Sequence, residues 1–489
     1  MRRTLLTALL LCTLPAAGAD TPTLYRQHCA ACHGAERLGG SGPALLPDSL
    51  TRLKRPQALA VIRDGRAATQ MPGFGGTLDA TALEALTDHL YTAPTQAVGW
   101  TGQDMRASHR LLTPLAQLPD QPRHQADPLN LFVVVETGDH HVSLVDGDRF
   151  EVLHRFPTRY ALHGGPKFSP DGRFVYFASR DGWITQYDLY GFQPVAEIRA
   201  AINTRNLALS ADGKVVAVAN FLPRTLVFLD AMGLQPLATL AVESGGQASR
   251  VSAVYQAAPR GSFIAALKDI PEVWEIPQRG PDFSPRRLRL DRIMDDFQFD
   301  PDYRLLIGAP REGGKALVLD LDSGAAVAEL PLAGLPHLNS GITWLRDGRR
   351  VLATPNLKQG RISVLDMQDW RVLRELDTDG PGFFMRSHEQ APHVWTDVML
   401  GARRDRLHLL DKQTLEIAAT LIPEPGKTAA HVEFDRDGRH ALVSLWEDDG
   451  ALVVYDAHTL REVKRLPMKR PSGKYNVHNK ITRSEGTSH

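Results

Sequence analysis

Short apolar runs separated by turn sequences recur along most of the chain. The segments "FSPDGRFVYFASRDGWITQYDLY", "LSADGKVVAVANFLPRTLVFLD" and "FDRDGRHALVSLWEDDGALVVYD" share one shape: an Asp-Gly turn, an apolar strand, a gap, and a strand that ends near an Asp. Asp-Gly between apolar runs is a hairpin signal. Four strands in a unit of roughly forty-five residues indicate a β-propeller blade. A helical repeat would show a period of about 3.6 residues, which these segments lack.

The number of units predicts the size of the propeller. Two looser copies are "FDPDYRLLIGAPREGGKALVLDLDSGAAVAEL" and "WLRDGRRVLATPNLKQGRISVLDMQDWRVLREL", and a partial first unit is "LFVVVETGDHHVSLVDGDRFEVLHRF". With degenerate units near residues 255 and 390, we count eight blades over residues 129–489. The fold class is therefore an all-β eight-bladed propeller, preceded by a smaller domain.

The first part of the chain has a different pattern. Residues 1–19 combine two arginines, a short apolar run and a small-residue site, which is typical of a secretory signal peptide. Helical patterns follow in "TPTLYRQHCAACH", "RPQALAVIRDG" and "TALEALTDHLYTA". We therefore expect a small all-α domain over residues 20–92, a linker over residues 93–128, and export to the periplasm.

Composition excludes some classes of partner. The formal net charge is zero, which gives no reason to expect nucleic acid. Apart from the signal peptide, no apolar run is long enough to span a membrane. Only Cys29 and Cys32 remain once the signal peptide is removed, so no disulfide framework is expected.

Those two cysteines belong to the motif Cys29-Ala-Ala-Cys32-His33. A thioredoxin-type pair would need a βαβ pattern, and a zinc site would need further ligands nearby; neither surrounds the motif. Two thiols followed by a histidine match the attachment of one covalent c-type haem, with His33 as axial ligand. Met71, in the Gly-rich segment "TQMPGFGG", is the predicted second axial ligand of a class I cytochrome c domain.

Histidines and cations stand where the propeller predicts channel-facing positions. They precede or begin inner strands of different blades, and such positions converge on one axis. The histidines are His163, His337, His388 and His431, and the cations include Lys167, Arg180 and Arg205. A ring of cations suits a ligand with several carboxylates.

A CxxCH domain followed by a propeller with "ALHGGPKFSPDGRFVYFASRDGWITQYDLY" resembles the cytochrome cd1 family over essentially the whole mature chain. The resemblance implies that the propeller binds haem d1 or its precursor non-covalently. His163 matches the histidine that ligates its iron, and His337 and His388 match two distal histidines. Arg180 and Arg205 match carboxylate clamps, and Lys167 stands where the family's nitrite reductases carry Arg.

Two activities occur in that family with this domain order. One is the reduction of nitrite to nitric oxide on haem d1. The other is the dehydrogenation of a propionate of dihydro-haem d1 to the acrylate of haem d1. We predict the dehydrogenase, because His431 and Tyr475 stand where the reductases carry glutamine and phenylalanine.

The predicted dehydrogenase uses His431 as the base, with Tyr475 as a second acid/base or orienting group. Electrons would pass to the c haem and on to an external acceptor. Expected partners are the tetrapyrrole, a nitrite reductase and other proteins of haem d1 biosynthesis. The alternatives are the nitrite reductase itself or a carrier of haem d1, in which an electron-transfer domain would be superfluous.

Overall fold

The computed structural model describes residues 20–39, 42–50, 53–65, 71–95, 98–280, 283–310 and 315–482. The predicted signal peptide, residues 1–19, lies outside this part of the chain. No helix within the described ranges is long and apolar enough to cross a membrane.

A small helical domain begins the described chain. Its helices are α1 (Thr21–His28), α2 (Ala30–His33), α3 (Arg55–Asp64) and α4 (Ala80–Tyr91). The side chain of Asp20 accepts from the N–H of Thr23 at 3.1 Å, which caps α1, and Asp79 caps α4 in the same way. The domain's buried core is formed by Tyr25, Leu50, Ile62, Leu83, Leu86 and Leu90.

Eight antiparallel blades of four strands follow, as predicted from the repeats. Each blade is given from its inner to its outer strand, and blade 1 takes its inner strand from the far end of the chain. The strands of the first three blades are Pro471–Asn476, Leu131–Glu136, His141–Asp146 and Glu151–Pro157 in blade 1; Lys167–Phe168, Phe174–Ala178, Trp183–Asp188 and Gln193–Arg199 in blade 2; and Asn203–Leu209, Val215–Leu222, Thr225–Asp230 and Pro236–Ala241 in blade 3. The next three blades have Val251–Ala257, Ser262–Leu267, Glu272–Pro277 and Arg286–Arg289 in blade 4; Asp296–Phe299, Leu305–Ala309, Ala316–Asp320 and Ala326–Leu330 in blade 5; and Ile342–Arg346, Arg349–Pro355, Arg361–Asp366 and Val372–Asp377 in blade 6. The last two have Met385–Arg386, His393–Asp397, Leu407–Asp411 and Ile417–Leu421 in blade 7, and Ala429–Phe434, His440–Leu445, Ala451–Asp456 and Glu462–Pro467 in blade 8.

The ends of the propeller meet in blade 1. The strand Pro471–Asn476 pairs antiparallel with Leu131–Glu136, in a register that places Tyr475 opposite Val133 and Lys474 opposite Val134. Helix α5 (Gly102–Ser108) lies in the linker, and helix α6 (Val477–Thr482) continues from the closing strand. The closing strand covers the edge of Leu131–Glu136, which could otherwise pair with another chain.

The backbone conformation of the Asp-Gly turns explains why they contain glycine. Gly172 and Gly213 have φ values of +74° and +71°, a left-handed conformation that glycine adopts without strain. These turns join the inner strand to the next strand in blades 2 and 3. The apolar faces of neighbouring blades then pack against each other, as in the buried cluster that joins Ile184 and Val195 to Val218 and Leu229.

The predicted linker carries structure of its own. It contains helix α5 (Gly102–Ser108) and the strand Arg110–Leu111, which pairs with the outer strand of blade 2. Short 3-10 helices lie at Leu115–Gln117 and Pro128–Asn130, with others at Ala258–Arg260 and Leu338–Ser340 within the propeller, and a small hairpin joins Glu243–Ser244 to Gln247–Ala248. The linker is therefore fastened to the propeller.

The helical domain contacts the propeller beside blades 2 and 3. Ala44 and Leu46 pack with Ile202 in one buried apolar cluster. The Arg199 guanidinium donates to the carbonyl of Leu38, and the indole of Trp100 donates to the carbonyl of Arg199 at 2.9 Å. The two domains thus share an interface that combines apolar packing with hydrogen bonds.

Candidate functional site

The CxxCH motif spans the junction of α1 and α2. Cys29 ends α1 and Cys32 lies one turn further along, so both thiols lie on one face; neither forms a disulfide. His33 is buried, and its Nδ1 lies 2.7 Å from the carbonyl oxygen of Pro43. An Nδ1–H that donates to this carbonyl leaves Nε2 to bind iron. These residues fit a covalent c-type haem.

Two loops shape the surroundings of this motif. A Cβ on Gly42 would lie 2.7 Å from the His33 ring, so glycine is needed for the loop to pass this close. Met71 begins the second loop, which is held to the end of α3 because the N–H of Phe74 donates to the carbonyl of Ile62 at 2.9 Å. The Phe74 ring contacts His28, whose helix leads into the motif. This places the Met71 loop beside the CxxCH segment.

At the mouth of the propeller, the structure brings His163 and Arg205 together. The Nδ1 of His163 lies 2.7 Å from the carbonyl oxygen of Arg205. One guanidinium nitrogen of Arg205 lies 2.9 Å from Nδ1 and 3.2 Å from Nε2 of the same ring. The N–H of His163 also donates to Ala178 in blade 2. The histidine is therefore held between blades 2 and 3.

The glycines after His163 allow a close approach of the closing strand. Gly164 and Gly165 both have positive φ. A Cβ on Gly165 would lie 3.2 Å from the Tyr475 ring, and one on Gly164 would lie 2.5 Å from Cβ of Asn206. The pair of glycines thus brings Tyr475 beside the loop that carries His163.

From Tyr475, a continuous arc of rings runs around the mouth. Ring centroids are 5.2 Å apart between Tyr475 and His431, 4.6 Å between His431 and Phe384, and 4.6 Å between Phe384 and Phe383. The last step, from Phe383 to His337, is 4.4 Å. The arc joins the three predicted residues His337, His431 and Tyr475. The two phenylalanines were not predicted, although "PGFFMR" just before a strand was the available signal.

His431 has an unusual backbone. Its φ is +47°, and the strand pairing shifts register between Ala430 and Val432, which marks a bulge. Bulges and left-handed non-glycine residues concentrate where a side chain must be aimed at a site. Burial, together with nearby Lys474 and Arg386, lowers the pKa of His431 well below its usual value. The imidazole is therefore neutral at pH 7 and is able to accept a proton.

Asp397 holds this arc in place. Its carboxylate accepts from the N–H groups of Phe383 at 2.8 Å, Phe384 at 3.1 Å and His431 at 3.4 Å. Burial raises the pKa of Asp397 to about 6. Because the bonds reach both the loop of rings and the bulge, one buried side chain positions three members of the arc. Sequence patterns did not point to it.

Polar contacts surround the end of the arc at His337. The Nδ1 of His337 lies 2.7 Å from the carbonyl oxygen of Phe383. The amide of Asn339 donates to the Tyr255 hydroxyl at 2.9 Å, and its N–H donates to Asp296 at 3.2 Å. Burial raises the pKa of both Tyr255, to about 12, and Asp296.

Three predicted residues lie at different distances from the mouth. Lys167 directs its amine towards the carbonyl of Gly164, 3.4 Å away. The backbone of Arg180 bonds to Ala161 and Thr204, which places it between the His163 loop and blade 3. His388 instead packs against blade 8, where a Cβ on Gly438 would lie 2.1 Å from its Nδ1. The role of His388 as a second distal histidine stays a prediction.

Comparisons with known proteins agree with this arrangement. A family model described as "Cytochrome D1 heme domain" matches residues 126–480, and one described as "Cytochrome C oxidase, cbb3-type, subunit III" matches residues 16–90. The chain is 62% identical over 484 residues to the dihydro-heme d1 dehydrogenase of Pseudomonas aeruginosa, covering 98% of each. It is 23% identical over 521 residues to the nitrite reductase of Stutzerimonas stutzeri, covering 93% of this chain and 92% of that one.

A solved structure is similar to this chain over nearly its whole length. The one described as "Dihydro-heme d1 dehydrogenase NirN in complex with DHE" matches with a TM-score of 0.92 and 62% identity, covering 95% of this chain and 100% of that one. The predicted order of a cytochrome c domain and an eight-bladed propeller is confirmed. By its propeller and by its full-length relatives, the chain belongs to the cytochrome cd1 family.

Proposed function

We propose that this protein is a periplasmic dihydro-haem d1 dehydrogenase. The full-length relative at 62% identity carries that name, and the similar solved structure is named as the same enzyme in a complex. The observation that carries the proposal is the pair of His431 and Tyr475 at the mouth, with ring centroids 5.2 Å apart. A neutral buried base beside a phenol suits proton removal from a carbon chain.

The reaction turns –CH2–CH2–COO⁻ into –CH=CH–COO⁻ and releases two protons and two electrons. His431 takes a proton, since its pKa is lowered well below the usual value and its ring is uncharged before reaction. Burial raises the pKa of Tyr475 to about 12, so its hydroxyl stays protonated at pH 7. Tyr475 therefore acts as a hydrogen-bond donor that orients the substrate.

The substrate is held through its iron and its carboxylates. His163 is the proposed proximal ligand and His337 the distal one, while Arg180, Arg205 and Lys167 pair with carboxylates. A histidine on the distal side occupies the position where nitrite would bind. This favours the dehydrogenase over a nitrite reductase, which matches at only 23% identity.

The small domain takes up the electrons. Cys29 and Cys32 would hold a c-type haem, and His33 and Met71 would bind its iron. When bound, a c-type haem supplies a one-electron acceptor, so the two electrons leave in separate steps to an external acceptor. The product would pass to a nitrite reductase, and a role in delivering haem d1 is compatible with catalysis. The signal peptide over residues 1–19 is the basis for the periplasmic location.

The test is turnover of dihydro-haem d1. Purified protein with an electron acceptor should convert it to a product lacking two hydrogen atoms, read by mass spectrometry and by reduction of the c-type haem bands. His431→Ala should slow conversion by ~10²–10⁴-fold, the usual contribution of a positioned base. His458→Ala, an exposed histidine on the same blade, is the matched control.

A binding measurement distinguishes the loss of the catalytic base from the loss of the binding pocket. His431→Ala should still bind the tetrapyrrole, because His163 and the arginines remain. Nitric oxide production from nitrite, with no change in the mass of dihydro-haem d1, would identify a nitrite reductase instead. Tight binding without either reaction would identify a carrier.

A further inference from the structure

One buried arginine connects the two domains. Arg199 is the last residue of the outer strand of blade 2 and is 8% exposed. Its Nε–H donates to the carbonyl oxygen of Asp181 in the same blade at 2.9 Å, and one terminal nitrogen donates to the carbonyl oxygen of Leu38 in the helical domain. Both bonds end at backbone carbonyls rather than at a carboxylate. A planar guanidinium with five N–H donors is able to join two acceptors in this way.

The contacts around Arg199 fix its position. The centroid of the Trp100 ring lies 4.9 Å from the guanidinium carbon. The backbone N–H of Arg199 donates to the Ser108 hydroxyl at 2.9 Å. A Cβ on Gly39 would lie 3.1 Å from a guanidinium nitrogen, so the backbone of the helical domain passes directly along the arginine. The bond to Leu38 therefore belongs to a packed interface.

In the helical domain, this bond leads to the CxxCH motif. The carbonyl of Leu38 and the N–H of Gly39 belong to one peptide unit. That N–H donates to the carbonyl oxygen of His33 at 2.8 Å. Because His33 is the proposed axial ligand of a c-type haem, one peptide unit and one hydrogen bond separate the Arg199 guanidinium from the backbone of that ligand.

In the propeller, the other bond of Arg199 leads to His163. Asp181 follows Arg180, whose carbonyl oxygen accepts from the N–H of Thr204 at 3.3 Å. The next residue is Arg205, and its carbonyl oxygen lies 2.7 Å from Nδ1 of His163. His163 is the proposed proximal ligand of the tetrapyrrole iron, and an Nδ1–H bonded to a carbonyl leaves Nε2 for that iron.

We propose that electrons pass from the propeller to the helical domain through Arg199. The inference rests on the proposed function and deepens it. The route runs between the two proposed iron ligands, from His163 through Arg205, Thr204, Arg180, Asp181, Arg199, Leu38 and Gly39 to His33. Five hydrogen bonds join its covalent segments, and Arg199 donates two of them. Electronic coupling decreases less along covalent and hydrogen bonds than across a gap, so a continuous route favours transfer at this contact.

Two electrons have to cross the contact in each turnover. Two C–H bonds of the propionate break and a C=C bond forms, which releases two protons and two electrons. His431 takes one proton, and the other leaves to solvent. A c-type haem accepts one electron at a time, so the first electron has to leave for the external acceptor before the second arrives. The contact at Arg199 therefore affects the rate of electron transfer and not the binding of the tetrapyrrole.

A purely structural role of Arg199 predicts a different result, and Trp100 provides the matched control. Its indole donates to the carbonyl oxygen of Arg199 at 2.9 Å, and its ring packs against the apolar cluster between the domains. This hydrogen bond is not part of the route. Trp100→Phe removes one interface bond, keeps an aromatic ring beside the guanidinium and leaves the route intact.

The experiment measures electron exchange between the domains without breaking a C–H bond. The c-type haem is reduced by a laser flash in protein that has bound haem d1, the product, and its reoxidation is followed by absorbance. We expect Arg199→Met to slow this exchange several-fold, while titration shows unchanged binding of haem d1. Trp100→Phe should exchange electrons at the wild-type rate. Unchanged exchange in Arg199→Met, or equal slowing in both variants, would overturn the route.

Arg199→Lys decides the question if Arg199→Met does not fold. It keeps the charge, but one amine lacks the planar fork that joins two carbonyls. The reduction potential of the c-type haem, measured without tetrapyrrole, should therefore stay at the wild-type value while exchange is slowed. Wild-type exchange in Arg199→Lys and Arg199→Met would refute the route. Exchange that depends on Arg199, without conversion of dihydro-haem d1 by the wild type, would instead refute the proposed function.

Discussion

The buried carboxylate of Asp397 is the point from which the geometry of the arc is set. Three backbone N–H groups converge on it, from Phe383, Phe384 and His431. An asparagine of the same size offers one acceptor oxygen and turns an N–H₂ group towards some of those donors. We predict that Asp397→Asn leaves buried donors unpaired, at a cost of ~1–3 kcal/mol.

That cost should appear in conversion of dihydro-haem d1, as a loss of about 10- to 100-fold, since each 1.4 kcal/mol is about tenfold. Wild-type activity should also decrease as the pH falls below about 6, where the Asp397 carboxylate takes up a proton. His431 does not account for such a limb, because its pKa is lowered well below 6.5. An unchanged rate in Asp397→Asn at pH 7 would contradict the positioning role.

At this scale the sequence predicted some residues and missed others for clear reasons. His431 and Tyr475 stood out because they differ from a family pattern. Lys474 did not, because lysine is usually exposed and nothing in its neighbours signals burial. Asp397 ends the strand His393–Asp397, and aspartate is common where a strand passes into a turn, so only three-dimensional contacts reveal its bonds.

Among the elements, the loop between blades 1 and 2 leaves little room for a side chain at Gly164. Its Gly164 has a φ of +83°, and a Cβ there would lie 2.5 Å from Cβ of Asn206. Asn206 has little freedom to move, since its amide bonds to both backbone groups of Val254 in blade 4. We predict that Gly164→Ala displaces the loop and with it His163.

The measurement is the absorption spectrum of the bound tetrapyrrole, which should lose the signature of the His163 ligand. Gly233→Ala is a matched control, because its φ is +89° and nothing lies within 4 Å of the added Cβ. Both variants bear the backbone cost of a left-handed alanine, ~1–2 kcal/mol, but only Gly164→Ala adds a clash. If both keep the wild-type spectrum, the loop does not position the iron ligand.

The blades themselves were predictable, because each repeats the same turn and strand signals. The structure of the linker on the outer strand of blade 2 was not predictable. Linker residues 93–128 have no repeat, so their helix α5 and the strand Arg110–Leu111 on blade 2 depend on contacts that the local sequence does not announce. The packing of His388 against blade 8 was likewise not predictable, since its position relative to a strand end does not fix which side it faces.

For the whole molecule, we expect electron transfer to depend on the interface between the two domains. Ala44 is 4% exposed and packs against Ile202 of the propeller. We predict that Ala44→Glu separates the domains, because an uncompensated buried charge costs ~3–5 kcal/mol. Binding of dihydro-haem d1 should be retained, while reduction of the c-type haem becomes slower.

Stopped-flow absorbance of the c-type bands provides the measurement, and Ala80→Glu is the control, since Ala80 is exposed at the start of α4. Equal rates of haem reduction in the two variants would show that electron transfer does not depend on the contact between the two domains. Domain order was evident from the sequence, but the interface was not, because Ala44, Leu46 and Ile202 resemble any core residues.

The closing strand Pro471–Asn476 has a consequence for the order of synthesis. It completes blade 1 by pairing with Leu131–Glu136, and it carries both Lys474 and Tyr475. A ribosome has therefore made blades 2 to 8 and three strands of blade 1 before these two residues exist. A chain that stops early lacks its last ring contact and its chemistry together, so incomplete copies would bind and oxidise no tetrapyrrole. Only a chain that has formed the closing strand of the propeller also has Tyr475 in place beside His431.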